Sequence, residues 1–424
     1  MRLPCTTTRP PGTPTKLNGA KTRYASGWTA RRFLKLPSCR MRRWGWCCGW
    51  ITSTPPGRRM AASATASSPT PPPGSKSVTS PSNPSIKRLC LTPRASNVGG
   101  VRSFQTRFAA ELARRGIEVT HALEDRPYDA VLVAGGTRDL LGLRRARRAG
   151  IPVIQRLDGM NWLHRVRSTG LRHWLRAERA NWLLAHIRQR VASGIIYQSE
   201  FVRGWWERAH GPTLVPHAVI HNGVPLDEYS PDGAHDRPTD RARLLLVEGN
   251  LGGGYEQGLE TAVALAERLQ EHHGIRLELM IAGAAAPELQ AHWTARAGVP
   301  LAWAGLAPAE DIPRLDRSAH LLYAADLNPA CPNSVIEALA CGLPVAAYYT
   351  GALKELVTGD SGRVTSYGGD PWKLDPPDVA TLAAAAAEIL ADNDRFRRAA
   401  RARAEAAFDI GVMVDKYLGF IDHR

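Results

Sequence analysis

Apolar residues along the chain gather into short runs separated by stretches of helical period, starting at "IKRLCLTP" (86–93), which reads as a buried strand. In the following "RASNVGGVRSFQTRFAAELARRGIEVTHAL", Val101, Phe104, Phe108 and Leu112 recur at three and four residues. That spacing predicts one apolar helix face, and Gly116 ends the helix before a second strand. "YDAVLVAGG" (128–136) and "IPVIQRLDG" (151–159) predict two more short buried strands, each stopped by glycine. A long helical stretch runs from about Leu171 to Val191, and "GIIYQSEFVRGWW" (194–206) resumes with a strand and a helix. Strand, loop and helix in repetition predict a parallel sheet with helices on both faces.

The same grammar starts again after "DGAHDRPTDRAR", a polar, turn-rich linker. "RLLLVEGN", a helix at 256–272, "RLELMIAG", a helix at 286–297, "LAWAG", a helix at 308–317, "HLLYAAD", a helix at 334–341 and "PVAAYY" make a second doubly wound unit. Alanine-rich helices from Val379 to Phe408 and the apolar "VMVDKYLGFI" close the chain. The reading is α/β, with two similar domains in tandem at 86–230 and 231–408. A last helix at 409–424 packs back on the first domain.

Charge changes the picture in one place. The chain of 424 residues carries 55 Lys and Arg, of which 17 fall in residues 1–94, where there is no Asp or Glu. The remaining 38 basic residues face all 39 acids, so the folded part is close to neutral and argues against nucleic acid as the main partner. The leader, 1–85, is rich in Pro, Ser and Thr and holds four of the seven cysteines. Its acid-free, Arg- and Ser-rich composition resembles a transit peptide, and a basic arm for nucleic acid is a second reading. The preferred expectation is a disordered basic tail, or a translation begun upstream of the true start, because such composition buries too little apolar surface to fold. Its patch "WGWCCGWI" is too short to span a bilayer. Cys90, Cys331 and Cys341 show no metal or disulfide spacing and suit a reducing compartment.

Ligands of open parallel sheets bind at the carboxyl ends of the strands. Three loops there have suitable chemistry. Gly99-Gly100 lets the backbone approach a ligand and aims helix N–H groups at an anion. "NPACPNSVIEALACGLPVAA" (328–347) has Asn333 as a helix cap, two stiffening prolines and a single acid, Glu337. "VEGNLGGGYEQG" (247–258) again offers consecutive glycines. Asp158, at the end of a strand, suits either a general base for an acceptor hydroxyl or a turn before Gly159; His164 is a weaker candidate. No His/Asp/Glu cluster has metal-ligand spacing. In 163–191, Arg172, Arg176 and Arg179 share one helical face, while Leu171, Trp174, Leu175 and Trp182 lean to another. That pattern suits either a solvated domain helix or a peripheral contact with an anionic membrane.

Taken in order, "SNVGGV", "IIYQSEFV", "VIHNGVPLDEYSP", "LLLVEGN", "MIAG", "WAG" and "VIEALACGLPVAA…GALKELV…GDSGRV" resemble glycosyltransferase family 4, retaining enzymes of the GT-B fold. The resemblance covers residues 86 to about 410. It implies an acceptor domain, a nucleotide-sugar domain and chemistry in the cleft between them. By position, Glu337 matches the second glutamate of the paired-glutamate motif, on the donor's ribose. Asn333, Ser334 and Val335 lie where backbone amides approach the donor, Gly99 and Gly100 face its phosphate, and Glu355 matches the acid of the "GGxxE" segment.

The departures are specific. Pro329 stands where the first glutamate is usual. Asn250 and Gln257 stand where an arginine and a lysine usually neutralise the leaving diphosphate, and an amide brings no charge. Asn328, Asp326 or Asn333 would then take over sugar recognition, with Arg102, Arg156, Lys354 or Arg363 as replacement cations; the catalytic candidates are Asn328, Asn333 and Asp158. The expected activity is metal- and cofactor-independent hexosyl transfer from a nucleotide diphosphate sugar to a glycan or lipid-linked acceptor, in the cytoplasm or at the inner membrane face. Two alternatives stay open: a non-catalytic sugar-nucleotide binder or partner subunit, and another GT-B enzyme such as an epimerase.

Overall fold

The computed structural model describes residues 86–95, 99–252 and 256–424, all within one compact unit, Ser77–Arg424. The expectations for the leader, for residues 96–98 and for Gly253-Gly254 lie outside the described residues.

In the first half, strands β1 (Arg88–Thr92), β2 (Glu118–Thr120), β3 (Ala130–Ala134), β4 (Val153–Leu157), β5 (Gly194–Tyr197) and β6 (His217–Val219) alternate with helices α1 (Gly100–Arg114), α2 (Leu140–Arg148), α3 (Leu171–Arg190) and α4 (Glu200–His210). The sheet is parallel with order β2-β1-β3-β4-β5-β6. β3 and β4 are buried at every residue, as strands covered on both faces must be.

The second half repeats the plan. Strands β7 (Ala242–Asn250), β8 (Leu277–Ala284), β9 (Leu301–Gly305), β10 (Leu321–Ala324), β11 (Val345–Tyr348) and β12 (Gly362–Thr365) form a parallel sheet of order β12-β11-β10-β7-β8-β9. Helices α5 (Glu256–His273), α6 (Pro287–Arg296), α7 (Ile312–Ser318), α8 (Asn333–Ala340), α9 (Leu353–Leu356), α10 (Val379–Ala391) and α11 (Asn393–Ala407) connect and cover it. In each sheet the strand order reverses direction at a central strand, which opens a crevice at the carboxyl ends.

The final helix, α12 (Ile410–Asp422), leaves the second half. Its Ile410, Met413, Val414, Tyr417, Leu418 and Ile421 belong to the core of the first sheet, beside Phe104, Phe108 and Leu112 of α1. Phe108 and Tyr417 rings stand 5.1 Å apart. The helix straps the two halves together.

One sequence expectation is corrected locally. Asn333 is not the cap of α8: Pro332 occupies that position with no side-chain cap bond, and Asn333 is the first helical residue. Its Oδ1 instead accepts from Asn222 Nδ2 at 2.9 Å, across the cleft. The alanine-rich helices expected over 379–408 are two, α10 and α11, which meet at Asp392-Asn393.

Candidate functional site

A cavity of about 370 Å³ lies between the carboxyl ends of the two sheets. From the first half it is lined by Gly100 and Val101 at the start of α1, Arg156 and Asp158 at the end of β4, Trp162, Gln198 after β5 and Asn222 after β6. From the second half come Glu248 near the end of β7, Gln257 and Gly258 of α5, the loop Ala325–Leu327 and Pro329–Pro332 after β10, and Leu374.

A polar network forms the first-half wall. Arg156 is 1% exposed and its guanidinium lies 3.9 Å from the Phe104 ring centroid. Nη1 donates to Asp158 Oδ1 at 2.7 Å and Nη2 to Asn222 Oδ1 at 2.7 Å. Gln198 Nε2 also donates to Asp158 Oδ1. Burial raises the Asp158 carboxyl, opposed by the Arg156 charge and hydrogen bond. Asp158 is therefore held in one orientation, with Oδ2 free of these bonds. Asn222 carries the network across the cleft, its Nδ2 donating to Cys331 O at 3.1 Å and to Asn333 Oδ1.

The loop 328–332 is fixed by an uncommon backbone arrangement. Asn328 has φ 54°, the left-handed region that asparagine tolerates better than most residues. Gly351, at φ 55°, sits where a Cβ would meet Pro329 at 2.4 Å, and Ala352 N donates to Pro329 O at 2.9 Å. Pro329, which displaces the expected first glutamate, is thus clamped by the glycine turn.

The second-half wall is acidic. Glu248 and Asp326 both line the cavity. Burial raises both carboxyls, and the Asp326 charge lifts Glu248 further. Gln257 donates to Tyr367 Oη at 3.1 Å and to Asp375 O at 3.4 Å, anchoring the segment that carries Trp372 and Leu374. An aromatic wall bridges the halves here: Trp372 stands 5.1 Å from Trp162, 4.9 Å from Trp205 and 6.2 Å from Phe201.

The remaining sequence candidates fall elsewhere. Glu337 is not on the cavity wall: it is 7% exposed and its Oε1 accepts from Arg107 Nη2 of α1 at 2.5 Å. Arg107 also donates to Tyr229 Oη at 2.7 Å. Burial opposes the guanidinium's charge, but Glu337 and Tyr229 hold its pKa above the ordinary value. Glu355 accepts from the Glu200 and Phe201 backbone N–H groups, at 2.8 and 2.7 Å, and meets His221 Nε2 at 3.3 Å. Against the burial that raises it, these bonds keep its carboxyl low. It therefore anchors the N-terminus of α4 across the cleft.

Asn250 is exposed, its Oδ1 turned back onto Gly252 N at 3.1 Å. Asn328 is buried without a partner for Nδ2. Ser334 is half-buried, Val335 belongs to the core, and Gly99 is exposed beside the cavity-lining Gly100. His164 is buried and meets Glu178 at 2.7 Å. Of the replacement cations, Arg156 alone lines the cavity; Arg363 pairs with Glu388 and Asp360, and Lys354 lies over the Tyr349 ring. Sequence reasoning missed Arg107, Gln198, Asn222, Trp162 and Trp372. Glu248 and Asn222 stood inside quoted segments, but a buried partner 111 or 230 residues away has no local signature.

Residues 242–392 match the family model described as glycosyl transferases group 1. No curated protein sequence matches the chain. Among solved structures, HepE from Anabaena in complex with UDP-glucose is 16% identical, with TM-score 0.58, and the match covers 80% of this chain and 100% of that one. Sucrose-phosphate synthase from Thermosynechococcus elongatus is 16% identical with TM-score 0.57, over 80% and 98%. WaaG, a glycosyltransferase involved in lipopolysaccharide biosynthesis, is 15% identical with TM-score 0.56, over 79% and 99%. With two parallel six-stranded sheets facing a common crevice, the fold is the two-domain, Rossmann-like GT-B architecture.

Proposed function

We propose that the chain is a retaining glycosyltransferase, working without metal or cofactor, that moves a sugar from a nucleotide diphosphate donor to a hydroxyl of a glycan or lipid-linked acceptor. The observation that carries this reading is the cavity built from both sheets' carboxyl ends, one wall of it inside the group 1 glycosyltransferase match. The acceptor half is 86–230 and the nucleotide-sugar half 231–408. In this reading the N-terminus of α1 at Gly99-Gly100 faces the donor phosphate, where helix N–H groups stabilise negative charge. Asp158, oriented by Arg156 and Gln198, faces the acceptor hydroxyl. HepE binds UDP-glucose, which makes a UDP-sugar the first donor to try.

The test is a thermal-shift series with UDP-, GDP- and ADP-sugars on the full chain. One donor is expected to raise the midpoint, since saturation at about a hundredfold above Kd adds about 2.7 kcal/mol. Asp158→Asn is expected to keep that shift and lose product formation. A second reading, a non-catalytic sugar-nucleotide binder, is favoured by one fact: Arg156, the one cationic side chain on the described cavity wall, is already paired with Asp158. Donor binding with no product from any acceptor would establish it.

The site of action we propose is the cytoplasmic face of a membrane. Leu171, Trp174, Leu175 and Trp182 of α3 are 73%, 42%, 55% and 58% exposed, and residues 163–191 hold seven arginines against one glutamate. Exposed tryptophan beside arginine suits an anionic interface. Among the described residues, no helix is long and apolar enough to cross a membrane. Co-flotation with vesicles containing anionic lipid is expected, lost at high salt and in Trp174→Ser/Leu175→Ser; equal flotation with neutral vesicles would contradict it.

A further inference from the structure

Four aromatic rings meet across the cleft beside the cavity: Trp162, Phe201 and Trp205 from the first half, and Trp372 from the second. The Trp162–Trp372 contact is edge-on, with ring planes at 70°, so it covers at most one face of Trp162. Trp162 is half-buried and lines the cavity with Leu163 and Leu374. Trp205 seats its ring on Gly159, the residue after Asp158, where a Cβ would meet Cζ3 at 2.8 Å.

Both loops that carry this wall are pinned. Buried Asn181 of α3 accepts from Asn161 N and donates to Asn161 O, both at 2.9 Å. Trp206 Nε1 donates to Asp158 O at 2.8 Å, which holds the other end of the segment. In the second half, Asp370 N donates to Asp375 Oδ2 at 2.9 Å and Trp372 N to Asp370 Oδ1 at 3.0 Å. Inside that loop Leu374 has φ 61°. Among the described residues the other non-glycine residue in this left-handed region is Asn328. Asparagine tolerates that conformation, whereas a bulky leucine there is a genuine outlier. Such strain persists where the surroundings over-determine it, and it clusters at ligand sites. Here it sets Leu374 into the cavity wall.

The cavity is not apolar throughout, which narrows what it can hold. Asp158, Glu248 and Asp326 also line it, and burial raises the Glu248 and Asp326 carboxyls. A protonated carboxyl both donates and accepts hydrogen bonds. A lipid chain or a flat aromatic ligand would leave these groups dry and unpaired, at a cost. A pyranose ring answers both walls, with C–H groups on its face for an aromatic ring and hydroxyls around its edge.

We propose that Trp162 carries a pyranose ring of the acceptor, which makes the acceptor a saccharide, and that Trp372 and Leu374 complete this subsite and set its specificity. The proposal deepens the glycosyltransferase reading and rests on it. Acceptor recognition is then shared between the halves.

The test is saturation-transfer NMR with calorimetry on the full chain. The probes are the methyl glycosides of glucose, galactose, mannose and N-acetylglucosamine, and 1-hexanol as a hydroxyl compound without a ring. At least one pyranoside is expected to bind, beside UDP-glucose as well as alone, with saturation strongest at its ring C–H protons. Trp162→Leu should weaken it about three- to tenfold, the worth of one aromatic contact. Trp372→Ala should do the same, and Trp372→Phe should restore most of the loss. Leu374→Gly separates a site from packing: it relieves the backbone, so the thermal midpoint is kept or raised while affinity falls and the ranking of the pyranosides changes. A lower midpoint with affinity and ranking unchanged would overturn the role of Leu374. Binding of 1-hexanol in preference to every pyranoside, or undiminished affinity in Trp162→Leu, overturns the proposal. Displacement of the pyranoside by UDP-glucose does so too, because the stacked ring is then the donor's. If nucleotide sugars bind and no pyranoside does, only this proposal falls; if a pyranoside binds and no nucleotide sugar does, the transferase reading falls instead.

Discussion

Arg107→Ala is expected to cost about 3–5 kcal/mol of folding stability, the range for removing one partner of a buried ion pair. Arg107 and Glu337 side chains are 13% and 10% exposed, and Tyr229 shares the guanidinium, its ring centroid 4.9 Å from Cζ. Without Arg107 the Glu337 carboxylate is left buried beside Asp316, whose own carboxyl is already raised by burial and then by Glu337. Two acids in one dry site cannot both ionise cheaply. Urea unfolding at pH 7 measures the loss. Glu337→Gln in the Arg107→Ala background should recover stability at pH 7. A loss below about 1 kcal/mol would place the pair with exposed ion pairs. The pair also joins α1 of the first half to α8 of the second, so a donor that used Glu337 on its ribose would first have to displace Arg107. The variant should then bind such a donor more tightly while unfolding more easily.

That pair shows where sequence reading stops. Strand and helix alternation was legible because burial of both sheet faces leaves continuous apolar runs and a 3.6-residue period between them. "AVLVA" and "VIQRL" were placed as strands on that ground and are buried throughout. Asp158, Asp326, Gln257 and the 329–332 loop reach the cavity because strand ends are where the fold puts its ligands. The side-chain partners were not legible. Glu337 matched a family position, yet its direction is decided by Arg107, 230 residues away. Glu355 likewise reads as a donor acid in sequence and anchors α4 in space. Asn333 has the composition of a cap, but Asn222 claims its Oδ1. Each of these contacts crosses between the halves, and local spacing carries no information about such a partner.

Those crossings act as one system. Arg107–Glu337, Glu355 on the α4 N-terminus, Asn222 on Cys331 and Asn333, and the Trp162–Trp372 wall all span the cleft around the cavity. Three of the four are polar, so the halves are held around the cavity by buried charge and hydrogen bonds whose partners are costly to leave unpaired. The strap α12 is the apolar element, held by Phe104, Phe108 and Tyr417.

Asp316→Leu is expected to stabilise the protein at neutral pH. Asp316 lies on α7, 1% exposed, with neither carboxyl oxygen hydrogen-bonded. Burial raises its carboxyl well above the ordinary range, Glu337 raises it further and Arg317 pulls it back; Cys341 and Tyr229 are the other titratable neighbours that feel its charge. For an acid whose folded pKa exceeds its unfolded value of about 3.9, the native state binds more protons than the unfolded chain. Stability then falls as pH rises through the interval between the two, by about 1.4 kcal/mol per pH unit for one proton. Leucine has similar volume, suits a helix and removes the cost of a buried unsatisfied carboxyl. The variant's advantage should thus be small at pH 4, grow with pH and level off once Asp316 would ionise in the folded state. Thermal midpoints of both proteins from pH 4 to 8 give the difference directly. An advantage independent of pH would mean that Asp316 is ionised in the native state throughout, and that Arg317 neutralises it.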